Sequence, residues 1–149
     1  MIINIHGISG IIDCVYKNGS KNIYDNLAKL LTDVSIRGEY SVIDKSTIKV
    51  VLTTKYSIGY ACAKCLAPVV VDYSCRGEET FNVDSTKDNQ IDLTDMIDEI
   101  MVLNMDSRVL CNSDCKGLCI CGVNLNTDKC KCEKIEDNSS ENAFAKLIT

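Results

Sequence analysis

The sequence predicts an α+β fold: a mainly antiparallel β domain with one amphipathic helix, followed by a small cysteine-rich module at the C-terminal end. Three observations predict it. Apolar residues alternate from Ile48 to Cys62, the period of a half-buried strand. Leu93, Met96, Ile97, Ile100 and Leu103 recur at the spacing of a helix with one apolar face. Six of the ten cysteines fall between Cys111 and Cys132.

The chain has 149 residues, enough for one domain with a small appendage. Apolar residues make up 46% of it, with no Trp and two Phe, so the expected core is built from Ile, Val and Leu. The net charge of −5 argues against unaided binding of a phosphate backbone, which needs clustered Lys and Arg. Local RNA contact, or entry into a ribonucleoprotein through protein contacts, stays open. The first residues, Met1 to Gly7, lack the basic and continuous apolar regions of a signal peptide. No apolar stretch approaches the roughly 18 residues of a membrane span. The expected location is the cytoplasm, where thiols stay reduced and clustered cysteines point to metal or catalysis.

Residues 1–110 are assigned to the β-rich domain, 111–132 to the cysteine module, and 133–149 to a polar linker with a short apolar tail. Ile3, Ile5 and Ile8 open the chain, and Asn18-Gly19 predicts a turn. Residues 25–33 suit a helical turn or a short strand. Val34, Ile36, Gly38, Tyr40 and Val42 alternate as a strand, and Asp44-Lys45 turns the chain. The long strand from Ile48 to Cys62 carries Lys49, Thr53 and Lys55 on its other face, with a bulge expected at Gly59. A tight turn at Cys62–Pro68 leads to a strand at Val69–Tyr73, and Glu78–Val83 extends the hairpin. After a polar loop at 84–90, the helix is expected at about 92–105. Asp92 is the expected N-cap, and Asp95 lies near the positive helix end. From Glu78 to Asp106 there are nine acidic residues and one basic residue, Lys87. That run suits either a solvated face or a docking surface for a basic partner such as a ribosomal protein. The tail presents Phe144, Leu147 and Ile148 at helical spacing, suited to docking on the core or inserting into a partner.

The thiols carry the chemistry. Cys62 and Cys65 are two residues apart, so both sulfurs can face one metal ion. The same spacing serves redox motifs, but those sit at a helix N-terminus that lowers the thiol pKa, and here both flanks are strands. The pair therefore stands as a metal half-site, a plain turn of reduced thiols, or a redox pair. In the C-terminal cluster the preferred ligands are Cys119, Cys121, Cys130 and Cys132, with Cys115 and then Cys111 in reserve. Alternatively, Cys111 and Cys115 complete a second site with Cys62 and Cys65. Gly122 suits a knuckle needing positive φ. Four thiolates and no histidine imply a closed structural Zn²⁺ site, making this a zinc-binding module; an iron–sulfur cluster uses the same donors. Cys14 and Cys75 stand alone and are expected as small apolar packing residues. His6, the one histidine, has no visible nucleophile to serve.

Four segments share a further pattern. Cys62-Ala63-Lys64-Cys65-Leu66-Ala67-Pro68-Val69 resembles the C-x-R-C-L-x-P-V signature of the YceD-like family, proteins linked to accumulation of large-subunit (23S) ribosomal RNA in bacteria and plastids. Ile91-Asp92-Leu93 resembles the start of that family's helix. Cys115-Lys116-Gly117-Leu118-Cys119 through Cys121-Gly122 and Asn124-Leu125-Asn126 resembles its C-K-G-L-C-P-x-C-G-x-N-L-N segment. Asn142-Ala143-Phe144-Ala145-Lys146-Leu147 resembles its closing N-P-F-A-x-L. Lys64 stands where the family has arginine, Ala143 replaces a proline, and the Cys119–Cys121 segment is one residue short. The resemblance implies a non-enzymatic role in large-subunit assembly, affecting synthesis, processing or stability of 23S rRNA. The implied partner is a large-subunit precursor or a ribosomal protein, with neither membrane nor small-molecule substrate. On this basis Cys62, Lys64, Cys65, Pro68 and Arg76 are expected on a presented binding surface. Two other functions remain in view: a zinc-stabilised interaction adaptor, and a thiol redox protein using Cys62 and Cys65.

Overall fold

The structure is a computed structural model that describes residues 1–17, 22–23, 28–82 and 90–132. The expected turn at Asn18-Gly19, the first part of the 25–33 segment, most of the 84–90 loop, and the linker and tail beyond Cys132 lie outside the described residues. In chain order the elements are β1 (Ile2–Asn4), β2 (Ser9–Tyr16), β3 (Asn22–Ile23), β4 (Ala28–Leu30), β5 (Val34–Val42), β6 (Thr47–Ala61), β7 (Pro68–Asn82), β8 (Gln90–Asp92) and α1 (Thr94–Leu103).

β6 is the spine of a six-stranded sheet. One edge pairs with β7 along its whole length, from Thr47↔Asn82 to Ala61↔Pro68. The other edge is shared: β5 takes Ile48 to Lys55, and β4 takes Ile58 to Tyr60. β2 adds outside β5, and β3 outside β4. A separate ribbon joins β1 to β8, and every pairing is antiparallel.

The alternation in the sequence decides which face is covered. Val34, Ile36 and Tyr40 on β5, and Ile48, Val50, Leu52, Thr54, Tyr56 and Ile58 on β6, are buried on one side. They pack with Ile91 of β8, Leu93 between β8 and α1, and Met96, Ile97, Ile100 and Met101 of α1. Burying each of these aliphatic side chains contributes about 1.5–3 kcal/mol. The other face is open and carries cross-strand rows such as Asp13–Arg37–Thr53–Arg76. An Asp13–Arg37 pair at 3.6 Å and a Lys49–Glu78 pair at 3.1 Å lie on it. Ile11, 88% exposed, lies on the same face.

Three local expectations are corrected. Gly59 makes no bulge: it pairs in unbroken register with Lys29 and Val70, and its missing side chain leaves room for Leu31. The helix is shorter than 92–105, and Asp92 is not its N-cap. Pairing of Asp92 with Ile2 claims that residue for β8, and Leu93 takes the cap position without a side-chain hydrogen bond. Asp92 still serves the first turn, because its carboxylate accepts from the Thr94 N–H at 2.9 Å. The Met1 amino group, with the Thr94 hydroxyl and N–H, holds the Asp92 carboxyl below its usual range. Finally, the buried stripe runs through Met96, Ile97, Ile100 and Met101, while Leu103 is 73% exposed. The helix sits over Gly77 on β7, where a Cβ would fall 2.5 Å from Ile100, so glycine there lets helix and strand approach.

The chain leaving α1 is tied back to the hairpin by tyrosines. The Tyr73 hydroxyl donates to the Asp106 carboxylate at 2.9 Å, and the Asp106 N–H returns to that hydroxyl at 3.3 Å. A hydroxyl has one proton, so Tyr60, at 2.8 Å, must donate to Tyr73. Burial and this bond push the Tyr60 pKa up. Tyr56 stacks on Tyr73 with ring centroids 5.3 Å apart. These contacts deliver the following segment to the end of the β6–β7 hairpin.

Candidate metal centres

The hairpin end forms the first cysteine group. The Cys62 N–H donates to the Ala67 carbonyl at 2.8 Å, and the Leu66 N–H to the Cys62 carbonyl at 2.9 Å. Leu66 takes φ of 59° to close the turn, and Pro68, lacking an N–H, opens β7. Val109 docks beside it, its carbonyl accepting from the Ala63 N–H at 2.8 Å. This places Cys111 and Cys115 over Cys62 and Cys65. The Cys62 and Cys115 sulfurs are 3.7 Å apart, and those of Cys65 and Cys111 are 3.6 Å apart. Cys62, Cys65 and Cys115 are buried among Ala67, Val69 and Leu110.

Backbone donors converge on this group. Burial pushes the Cys62 thiol up, but N–H groups of Lys64, Cys65 and Cys111 outweigh it and bring the pKa down to about 6. At Cys115 burial also opposes ionisation, and the Asn126 amide and Gly117 N–H overcome it. Cys111 moves the other way, to about 12, because its proton is shared with Cys115 and Cys65. The four thiols thus divide into acidic and proton-holding members, as expected when like groups crowd together.

The second group lies on loops. The Cys119 N–H donates to the Val123 carbonyl and the Gly122 N–H to the Cys119 carbonyl, both at 2.8 Å, and Gly122 has φ of +84°. The Cys130 sulfur lies 3.1 Å from that of Cys119 and 3.4 Å from that of Cys121. The Val123 N–H, with neighbouring thiols, lowers the Cys121 pKa to about 7. Sharing of protons with Cys130 and Cys121 raises Cys132 to about 12. Cys121 and Cys132 are exposed.

Each group offers four sulfurs within 4.8 Å of one another, so each could hold a metal ion. All ten cysteines are free thiols. A Zn–S bond of about 2.3 Å gives a tetrahedron with edges of about 3.8 Å. In the first group the Cys65–Cys111 and Cys62–Cys115 separations, 3.6 and 3.7 Å, lie close to that edge. The second would spread its sulfurs by several tenths of an ångström. A donor set without imidazole or carboxylate has no built-in open position for a reacting water.

The sequence-derived residues separate in space. Cys119, Cys121, Cys130 and Cys132 come together, and Cys111 and Cys115 join Cys62 and Cys65. Lys64 bridges the two groups: its ammonium donates to the Cys115 carbonyl at 3.2 Å, and its own carbonyl accepts from the Leu118 N–H at 3.0 Å. Arg76 stands apart on the open sheet face, eight residues along β7 from Pro68, roughly 26 Å away at 3.3 Å per residue. Cys14 and Cys75 pack against the main core, away from both groups. Sequence reasoning named Gly117 and Asn126 within the family segment but gave them no part in a site. Gly117 has φ of +82°, and a Cβ there would lie 3.2 Å from the Lys64 carbonyl oxygen. Asn126 reaches from the second group to the Cys115 sulfur at 3.3 Å. The polar Asn124-x-Asn126 pair inside a cysteine loop was the available signal.

Comparison with known proteins matches the part of the chain that carries these cysteines to one family. The family described as "Large ribosomal RNA subunit accumulation protein YceD" matches residues 50–148, which include all eight clustered cysteines. A curated relative, the "Large ribosomal RNA subunit accumulation protein YCED homolog 1, chloroplastic" of Arabidopsis thaliana, is 34% identical over 59 residues. That stretch is 39% of this chain and 18% of the relative, so the chain matches less than a fifth of the relative's length. No solved structure matches the chain. With the family match running from near the start of β6 through both cysteine groups, the chain belongs to the YceD family.

Proposed function

We propose that this protein is a non-enzymatic assembly factor that promotes accumulation of large-subunit ribosomal RNA. In this reading two structural Zn²⁺ ions hold its C-terminal segment to the β domain. Cys62, Cys65, Cys111 and Cys115 bind one, and Cys119, Cys121, Cys130 and Cys132 bind the other. The observation that carries it is that the family's cysteine motifs converge into two closed four-thiol groups. Such groups supply folding energy in place of a reactive centre. The negative net charge favours contact through a basic ribosomal protein. Glu78, Glu79 and Glu99, with Arg76, line a cleft of about 370 Å³ between β7 and α1 that also includes Met96 and Ile100; three carboxylates against one guanidinium suit such a partner. The redox alternative draws on the acidity of Cys62, but that side chain is fully shielded from solvent, which opposes attack on a substrate disulfide.

Depletion of the protein in its source organism tests the function. A selective fall in 23S relative to 16S rRNA is the expected result, with the protein co-sedimenting with large-subunit particles. An unchanged ratio would leave a zinc-stabilised adaptor as the better account. Elemental analysis of the purified chain is expected to find two zinc ions per molecule.

A further inference from the structure

Asn126 belongs to the loop between Cys121 and Cys130, yet its side chain works on the other cysteine group. Its Oδ1 accepts from the Lys116 N–H at 2.8 Å, and its Nδ2 donates to the Cys115 sulfur at 3.3 Å. The orientation of the amide is dictated: a backbone N–H can only donate, so the oxygen faces Lys116 and the NH₂ faces sulfur. The second proton of Nδ2 goes to Asn124 Oδ1 at 2.8 Å, and that oxygen also accepts the Asn126 N–H at 3.0 Å. The loop itself is fastened by Leu125 N–H to Gly117 O at 3.0 Å and Asp128 N–H to Asn124 O at 2.9 Å. Its two ends are Cys121 and Cys130, both members of the second group.

We propose that Asn126 couples the two metal sites: an ion held by Cys119, Cys121, Cys130 and Cys132 fixes the loop that aims the Asn126 amide at Cys115, and so tightens metal binding by the buried group. This rests on the two-metal reading above. Four thiolates around a divalent ion carry a net charge of −2, and N–H donors to sulfur disperse it. The Cys111 N–H serves Cys62 in this way at 3.3 Å. Cys115 draws its side-chain donor from a loop whose order depends on the other ion. Closing that loop costs chain entropy once, and the ion of the second group meets that cost. Linkage is reciprocal, so the buried ion tightens the exposed one by the same factor.

The test uses the full chain and Co²⁺, read by its thiolate charge-transfer band in competition with a chelator. Disabling the second group with Cys130→Ser and Cys132→Ser is expected to weaken Co²⁺ binding by the first about tenfold or more, the usual range for losing a ligand's hydrogen-bonding support. Asn126→Leu is expected to lose a similar factor and to move the charge-transfer band of the first group to lower energy, which a merely structural role would not do. Combining the changes adds little. Unchanged affinity in the Cys130/Cys132 variant, or losses that multiply, overturns the coupling. Cadmium-113 NMR on the unaltered chain guards against a variant that fails to fold. The four-sulfur resonance of the group that fills first is expected to move when the other fills, and a fixed resonance overturns the proposal. The absence of any four-sulfur resonance removes the two-metal reading itself, a distinct failure.

Discussion

Cys62 and Cys65 sit at the end of a hairpin of two 15-residue strands, whereas Cys119, Cys121, Cys130 and Cys132 are carried by loops. Three of the four thiols of the first group are buried, with Cys111 exposed, and long-range contacts from Cys111 and Cys115 tie it; in the second group none is buried and two are exposed. Sulfur spacing follows the scaffold. Where the hairpin end holds two of the four, the Cys62–Cys115 and Cys65–Cys111 separations already match the edge of a zinc tetrahedron. Where loops hold it, they are shorter by several tenths of an ångström. The lesson is that identical donors differ in how much of the geometry the ion itself must impose, and so in how each responds to its removal.

The largest expected effect is on stability. Removal of metal by a strong chelator lowers the melting temperature by roughly 8–16 °C, from about 4 kcal/mol of binding linkage at a thousandfold excess over Kd. In scanning calorimetry, Cys62→Ser with Cys115→Ser reproduces most of that fall, and Cys121→Ser with Cys132→Ser less than half. Equal falls would break the comparison.

Acidity sharpens it. Metal must displace the protons held by Cys111 and Cys132, both raised to about 12, so affinity at each group falls as pH falls. Between pH 8 and 6.5 the loss is at least about tenfold. Cys62, near 6, stays mostly ionised over this range, while Cys121, near 7, gains a proton. The exposed group therefore weakens about threefold more. Chelator competition at several pH values, on variants keeping one group each, checks the order; parallel profiles would count against it.

The smallest effects come from the two glycines. Gly122→Ala meets no neighbour within 4 Å and bears only the left-handed backbone cost, about 1–2 kcal/mol. Gly117→Ala adds a contact at 3.2 Å with the Lys64 carbonyl and is expected to cost more in denaturant titration. The reverse order would mean that the Gly117–Lys64 contact does not hold the buried group in place.

Much of the fold was legible in local pattern. Period-two alternation from Val34 to Cys62 marked β5 and β6 and their buried face, because a strand's side chains alternate whatever it pairs with. The stripe in 93–103 marked α1, but its limits were decided by partners: β1 took Asp92, and the buried face turned toward Met101. The Gly59 bulge failed for a similar reason, since the neighbouring Leu31, and no irregularity in the ladder, uses the missing side chain.

By itself the sequence determined the donor type, the short cysteine spacings and the positive-φ glycine at Gly122, because these depend on residues a few positions apart. It left open which half-sites meet. Cys62 and Cys115 are 53 residues apart, and Cys65 and Cys111 are 46 apart. Only the full pairing of β6 with β7, and the Tyr60–Tyr73–Asp106 chain that returns the backbone to the hairpin end, bring those sulfurs together. The contact of Asn126 with Cys115 was out of reach for the same reason. A carboxamide has no chemistry of its own to announce, and its role exists only because the folded loop sets it against another group's sulfur.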